Sequence, residues 1–301
     1  MKIIQLLFAT LIGIFSTNAG GLTTAISNKA WGAFPGGNDA ISLNNFESVV
    51  GKPVGIMSVF IHWGNNKDFP TELSQVVGQK GKTLLIFWEA MDYNKTINEQ
   101  GPYSYDAINN GRWDSYIKNF AINARMYGAP VVIAPFSEMN GNWTQWGITV
   151  GNNTAQKHIK AWRRIYGIFK SNNATNVKFA WVVNCNAVPD TFANRFEKFY
   201  PGNAYVDYVG VDGFNFGNPW LSWESIFHDS LTRLQTYGKS TIIASMACDE
   251  GLPNQKAQWI VDMVPAMNNY PLVTGWVWFN ENKWRVDSTP ESLDAFRSIL
   301  P

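Results

Sequence analysis

The segment Pro135–Gly147, PFSEMNGNWTQWG, gathers one carboxylate, two asparagines and two tryptophans directly after the apolar run Val131–Ala134. A carboxyl group at a strand end can give or take a proton, amides grip hydroxyls, and indoles cover the apolar faces of sugar rings. That combination is the chemistry of a glycan site, with Glu138 as its proton donor.

Groups of this kind need a rigid support, and the chain supplies one. Short apolar runs at Trp31–Phe34, Val54–Phe60, Thr83–Trp88, Val131–Phe136, Val177–Val183, Val206–Val211, Thr241–Ser245 and Thr274–Phe279 predict eight strands. Helical patterns follow most of them, at Trp113–Tyr127, Ala155–Phe169, Glu224–Tyr237, Gln255–Met267 and Glu291–Leu300. Strand–helix repeats in 301 residues predict an α/β fold, a (β/α)8 TIM barrel, as a single domain over 20–301. An open doubly wound sheet fits less well, because no glycine-rich phosphate loop follows an early strand.

In a barrel the active site lies at the C-terminal ends of the strands. Those ends offer His62 and Trp63, Glu89, Glu138, Asn184 and Asn186, Asp212 with Phe214, Ser245 with Asp249 and Glu250, and Trp278 with Asn280 and Glu281. The set is carboxylate, amide and indole. It lacks the Ser/His/Asp set of acyl transfer, the ligand spacing of a metal centre and a phosphate cradle, so no cofactor is expected. Asp212, next to Gly213, reads more readily as a turn-former than as a catalyst. Trp276 and Trp278 are two apart and share a strand face, and Trp278 is nearer the rim.

Composition narrows the partners. Charged residues are 16% of the chain and the net charge is +1, which gives no reason to expect nucleic acid or an anionic membrane. The 14 tryptophans are an excess that predicts an aromatic groove. Lys2, the apolar run Ile3–Phe15 and the small residues up to Ala19 predict a signal peptide over 1–19 and a secreted or periplasmic product. Cys185 and Cys248 are read as two buried thiols or one disulfide.

Several separated motifs resemble glycoside hydrolase family 26, which contains β-mannanases and related β-glucan and xylan hydrolases. They are EMNGxWxxWG after the fourth strand, YPGxxYVDxVGxDGxN over Tyr200–Asn215, KAxWI over Lys256–Ile260, and WVWFN with WRVDS over Trp276–Asn280 and Trp284–Ser288. The resemblance spans about Trp31 to Phe296. It implies a (β/α)8 barrel, a polysaccharide or oligosaccharide substrate and Glu138 as general acid/base. It also implies a glycan surface drawn from Trp63, Glu89, Ser137, Asn140, Trp143, Trp146, Asn184, Phe214 and Trp278. The family's nucleophile ends the seventh strand in a run like KPIMIAE, where this chain has Lys239–Ser245 and a serine in place of the glutamate. The His that commonly precedes the acid is Ser137 here, and the Tyr that supports the nucleophile is Phe214.

Three functions stay open on these residues. The first is a hydrolase with a relocated second carboxylate, for which Glu250, Asp249, Glu281 and Asp212 are candidates. The second is a barrel that binds β-glycan without cutting it. The third is a different chemistry, such as transglycosylation or substrate-assisted hydrolysis.

Overall fold

The computed structural model describes residues 29–64 and 68–301. Eight parallel strands close into a barrel in chain order: β1 (Ala30–Phe34), β2 (Ile56–His62), β3 (Thr83–Glu89), β4 (Val131–Pro135), β5 (Val177–Asn184), β6 (Tyr208–Asn215), β7 (Thr241–Cys248) and β8 (Val273–Phe279). Each sequence-predicted strand is present, with ends displaced by three residues at most except at β6, whose C-terminal end runs four further, to Asn215. The helices are α1 (Ala40–Val50), α2 (Thr71–Gln79), α3 (Tyr105–Asn109), α4 (Asp114–Tyr127), α5 (Ala155–Ser171), α6 (Trp223–Gln235), α7 (Gln255–Asn268) and α8 (Pro290–Ile299). The predicted signal peptide lies outside the described residues.

The first two helices escape a periodicity search because they are short. In α1 Leu43, Phe46 and Val50 form the buried stripe, Asp39 accepts from the Ser42 N–H at the start, and Gly51 ends the helix in the left-handed region. Between β5 and β6 there is no α-helix; three 3₁₀ turns bridge the gap. Pro189, Pro201 and Gly202 fall in that stretch, and each interrupts helix propagation.

Strand alternation sorts the side chains into two clusters. Residues such as Val59, Ile86, Ile133, Trp181, Val211, Trp276 and Trp278 join the helices in the large outer core. Ile56, Leu85, Phe87, Val132, Ala134, Ala180, Val182, Ile242, Ala244 and Val277 fill the barrel interior. The interior is lopsided. On the β1–β3 and β8 side it is aromatic: Phe34 stacks on Phe279 at 5.0 Å, Phe60 on Phe87 at 4.7 Å, and Phe34 meets Phe60 edge-on at 5.1 Å. On the β4, β5 and β7 side it holds three alanines, two valines and an isoleucine.

The tryptophan excess belongs to the outer core, not to a groove. Trp31, Trp63, Trp88, Trp146, Trp162, Trp181, Trp223, Trp259, Trp276 and Trp278 are all buried. Large rings fill the wedge between a curved sheet and its helices, and several indole N–H groups find carbonyls there: Trp162 donates to Tyr205 O at 2.9 Å, and Trp259 to Leu221 O at 3.1 Å.

Candidate active site

Glu138 is presented by a backbone turn that the sequence builds with care. After Pro135 closes β4, Phe136 and Glu138 take left-handed φ values of 52° and 57°, uncommon for residues with a Cβ. The turn is held from several sides. Glu138 N–H donates to Val182 O at 3.0 Å, Gly141 N–H returns to Glu138 O at 2.8 Å, and the Trp146 indole donates to Ser137 O at 2.7 Å. A Cβ on Gly141 would stand 2.4 Å from the Trp143 ring, so the glycine is what lets Trp143 fold back over the turn. Trp143 then donates its indole N–H to Glu138 Oε2 at 2.7 Å, with 45% of its surface still open.

Burial pushes the Glu138 carboxyl up to about 7, the Trp143 hydrogen bond opposes this, and the charge of Glu89 adds to it. A carboxyl poised there can both donate and recover a proton near neutral pH. Glu89 ends β3 opposite His62 on β2, with His62 Nδ1 2.9 Å from Glu89 Oε2 and the imidazole packed on Tyr93 at 4.8 Å.

Asp212, on β6, is the second buried carboxyl of the barrel mouth. Burial raises it well above the usual range, and the Glu138 charge raises it further, while the Ser245 N–H favours its ionised form. Its neighbours in the sheet are Asn184 on β5 and Ser245 on β7. Cys185 N–H donates to Asp212 O at 2.8 Å, and burial together with Glu138 and Asp212 lifts the Cys185 thiol to about 12. Cys248 is also a buried free thiol, so the two cysteines are not bridged. Ser245, 5% exposed, stands where β7 carries an irregularity: Ile243 pairs with Val211, but Asp212 pairs with Ser245.

The structure thus brings Glu138, Glu89, Trp143, Asn184 and Ser245 to the mouth, together with Asp212, one of the candidate second carboxylates. Phe214 joins them on an aromatic shelf, with its ring 5.3 Å from Trp284, 5.8 Å from Phe279 and 6.1 Å from the exposed Phe216. Sequence reasoning named Asp212 among the candidate second carboxylates but ranked it as a turn-former; its inward placement follows from counting by two along β6 from Tyr208, a residue packed on the interior cluster. It missed Phe216, Phe279 and Trp284 because they look like ordinary loop and strand aromatics.

Five expected site residues have other duties. Trp63 is fully buried against Trp88 at 4.9 Å and Trp113 at 5.3 Å, because the chain turns outward after His62. Trp146 is 1% exposed and supports the acid turn from behind. Trp278 shares a face with Trp276 as expected, but that face is the outer one; its indole donates to Trp284 O at 2.8 Å and packs on Phe296. Asn140 is fully buried, donates to the carbonyls of Asn184 and Asn186, and accepts from Asn184 N–H, which leaves no amide hydrogen for a sugar. Glu250 is an anchor for α8: its oxygens accept from Ser288 at 2.6 Å, Thr289 at 3.1 Å and Ser292 at 3.2 Å, with Lys256 Nζ at 3.6 Å. Burial works to raise its pKa, yet the Ser288 hydroxyl and the Lys256 ammonium hold it below the usual value.

Ser137 is 5% exposed, with its carbonyl committed to Trp146. Asp249 pairs with Lys283 at 2.6 Å. The KAxWI and WRVDS runs prove to be scaffold as well, since the fully buried Lys256 ammonium donates to Arg285 O and Ser288 Oγ.

The profile of glycosyl hydrolase family 26 matches residues 42–286. The chain belongs to glycosyl hydrolase family 26. Endoglucanase H of Acetivibrio thermocellus is 32% identical over 98% of this chain, and the match covers 33% of that protein. Mannan endo-1,4-beta-mannosidase of Bacillus subtilis strain 168 is 32% identical over 29% of this chain and 24% of its own length. The chain therefore spans about a third of the length of endoglucanase H, and its match to the mannosidase covers about a quarter of that protein. Among solved structures, the Bacillus subtilis mannanase man26 superposes with a TM-score of 0.66 at 17% identity, covering 92% of this chain and 85% of that one, which supports the shared barrel fold.

Proposed function

We propose that this family 26 barrel cleaves a β-linked polysaccharide of the mannan or mixed β-glucan class, with Glu138 as general acid/base. The observation that carries the proposal is Glu138 itself. It sits on a strained turn at the mouth, is tuned to about 7 by burial, and is hydrogen-bonded at 2.7 Å by an indole that also faces outward. Trp143 on one side and the Phe214–Phe216–Trp284 shelf on the other offer ring faces for pyranose rings. The predicted export signal is consistent with a substrate too large to enter a cell, and we place the protein outside the cytoplasm on that ground.

A second reading is favoured by Ser245 and Phe214, which replace the carboxylate and the phenol that retaining relatives are expected to carry. A barrel altered in this way binds glycan through its aromatic shelf and leaves the chain intact. Mature protein incubated with mannan, mixed-linkage β-glucan and xylan separates the two. Reducing ends that appear with wild type and are lost with Glu138→Gln support cleavage. Calorimetric binding of oligosaccharides with no reducing ends from either protein supports the second reading.

A further inference from the structure

We propose that Asp212 acts as the nucleophile of this barrel, facing Glu138 across the glycosidic bond in place of the carboxylate absent at Ser245. The inference rests on the hydrolase reading above and supplies its missing half.

Position is the first argument. Asp212 and Ser245 are paired residues on adjacent strands, roughly 4.8 Å apart in the sheet direction, so Asp212 is a carboxyl in direct register with the vacated position.

Availability is the second argument. Of the other carboxyls that follow β6–β8, Glu250 is engaged by three hydroxyls, Asp249 by Lys283 and Asp287 by Arg285, while Glu281 is only half-buried and follows β8, a strand that is not paired with β6. Asp212 is 3% exposed, and its Oδ1 is buried without a hydrogen-bond partner. A buried carboxyl oxygen with no partner is costly, which is expected of a group kept free for a ligand. Burial and the Glu138 charge favour the protonated form of Asp212, and the Ser245 N–H opposes them by favouring the ionised form that attack requires. Glu138 and Asp212 repel one another's charge, so ionising one favours the protonated form of the other, the division of roles that double displacement needs.

The step balances within the pair. An Asp212 carboxylate oxygen bonds to the anomeric carbon as the bond to the glycosidic oxygen breaks; the departing electron pair takes the Glu138 proton, leaving a glycosyl–Asp212 ester. Water then attacks the anomeric carbon, gives its proton to Glu138, and releases Asp212 as carboxylate.

The test uses the mature protein, an aryl β-glycoside with a good leaving group, and its 2-deoxy-2-fluoro analogue. Asp212→Asn is expected to lower kcat at least about 100-fold. Asp212→Ala should regain turnover with azide, yielding the α-glycosyl azide, and the fluoro sugar should label the wild-type peptide at Asp212 by mass spectrometry. A fold defect would not regain activity with azide or give that product. Turnover that Asp212→Asn leaves intact, or a label on another residue, overturns this inference and spares the hydrolase reading. No turnover by wild type on aryl glycoside or polymer overturns both.

Discussion

Replacing Glu138 by Gln should make the protein more stable, and only at pH values where the glutamate is ionised. Burial moves this carboxyl from 4.5 to about 7. Because the folded-state value is raised, the protonated form is the comfortable one. Stability is complete below the unfolded value and is lost as pH rises through the folded one. At 1.36 kcal/mol per unit the shift gives a ceiling of about 3 kcal/mol, and solvent reaching the partly open carboxyl reduces this to about 2 kcal/mol. Glutamine keeps an oxygen for the Trp143 indole and removes the repulsion with Asp212. For a domain of this size the gain corresponds to roughly 4–8 °C in Tm. Thermal unfolding of wild type and Glu138→Gln at pH 4.5, 6 and 8 measures it. We expect equal Tm at pH 4.5 and a gap that opens toward pH 8. A gain that is the same at all three, or a loss at pH 8, refutes the burial argument, whether or not the protein cleaves glycan.

Other substitutions separate the site from its scaffold. Trp143→Phe removes the indole donor that favours ionised Glu138. The carboxyl should titrate higher, by about one unit for a half-exposed charged hydrogen bond, as read by carbon NMR of the Glu138 side chain. Glu250→Ala should cost about 1–3 kcal/mol in denaturant unfolding by releasing the start of α8, and Glu138 should titrate as before; a wild-type melt would contradict the anchoring role. Trp63→Ala should cost about 3–5 kcal/mol as a core cavity. Oligosaccharide affinity should not depend on Trp63 once the variant is folded, and selective loss of affinity would return it to the groove.

The barrel was legible because its strands are continuous apolar runs, buried on both faces, and such runs need no side information to find. Glu138 was legible because tryptophan and asparagine crowd a loop that packing alone does not require. Facing was harder to read. Trp278 and Trp276 were matched correctly to each other, but periodicity does not say which of two faces is inner when both are apolar. The register fixes that, by placing Val277 with the interior residues. Glu250 looked available because one sequence gives no sign that Ser288, Thr289 and Ser292 converge on it from the next strand–helix unit. Asp212 looked like a turn-former because β6 runs four residues beyond the end read from hydrophobicity, through Asp212 and Gly213 to Asn215.

The uneven filling of the barrel interior bears on how its specificity can change. Phenylalanines occupy the half beneath β1–β3 and β8, whereas alanines, valines and Ile242 line the half beneath β4, β5 and β7, next to the strands that bear Glu138, Asp212 and Ser245. Packed aromatic rings leave little slack, so the first half is a fixed wall. Growth of a side chain at Ala134, Ala180 or Ala244 would instead raise the floor directly below the carboxyls. The barrel carries its smallest interior side chains and its two coupled carboxyls on the same side, and new ligand shapes can be accommodated there without disturbing the aromatic wall.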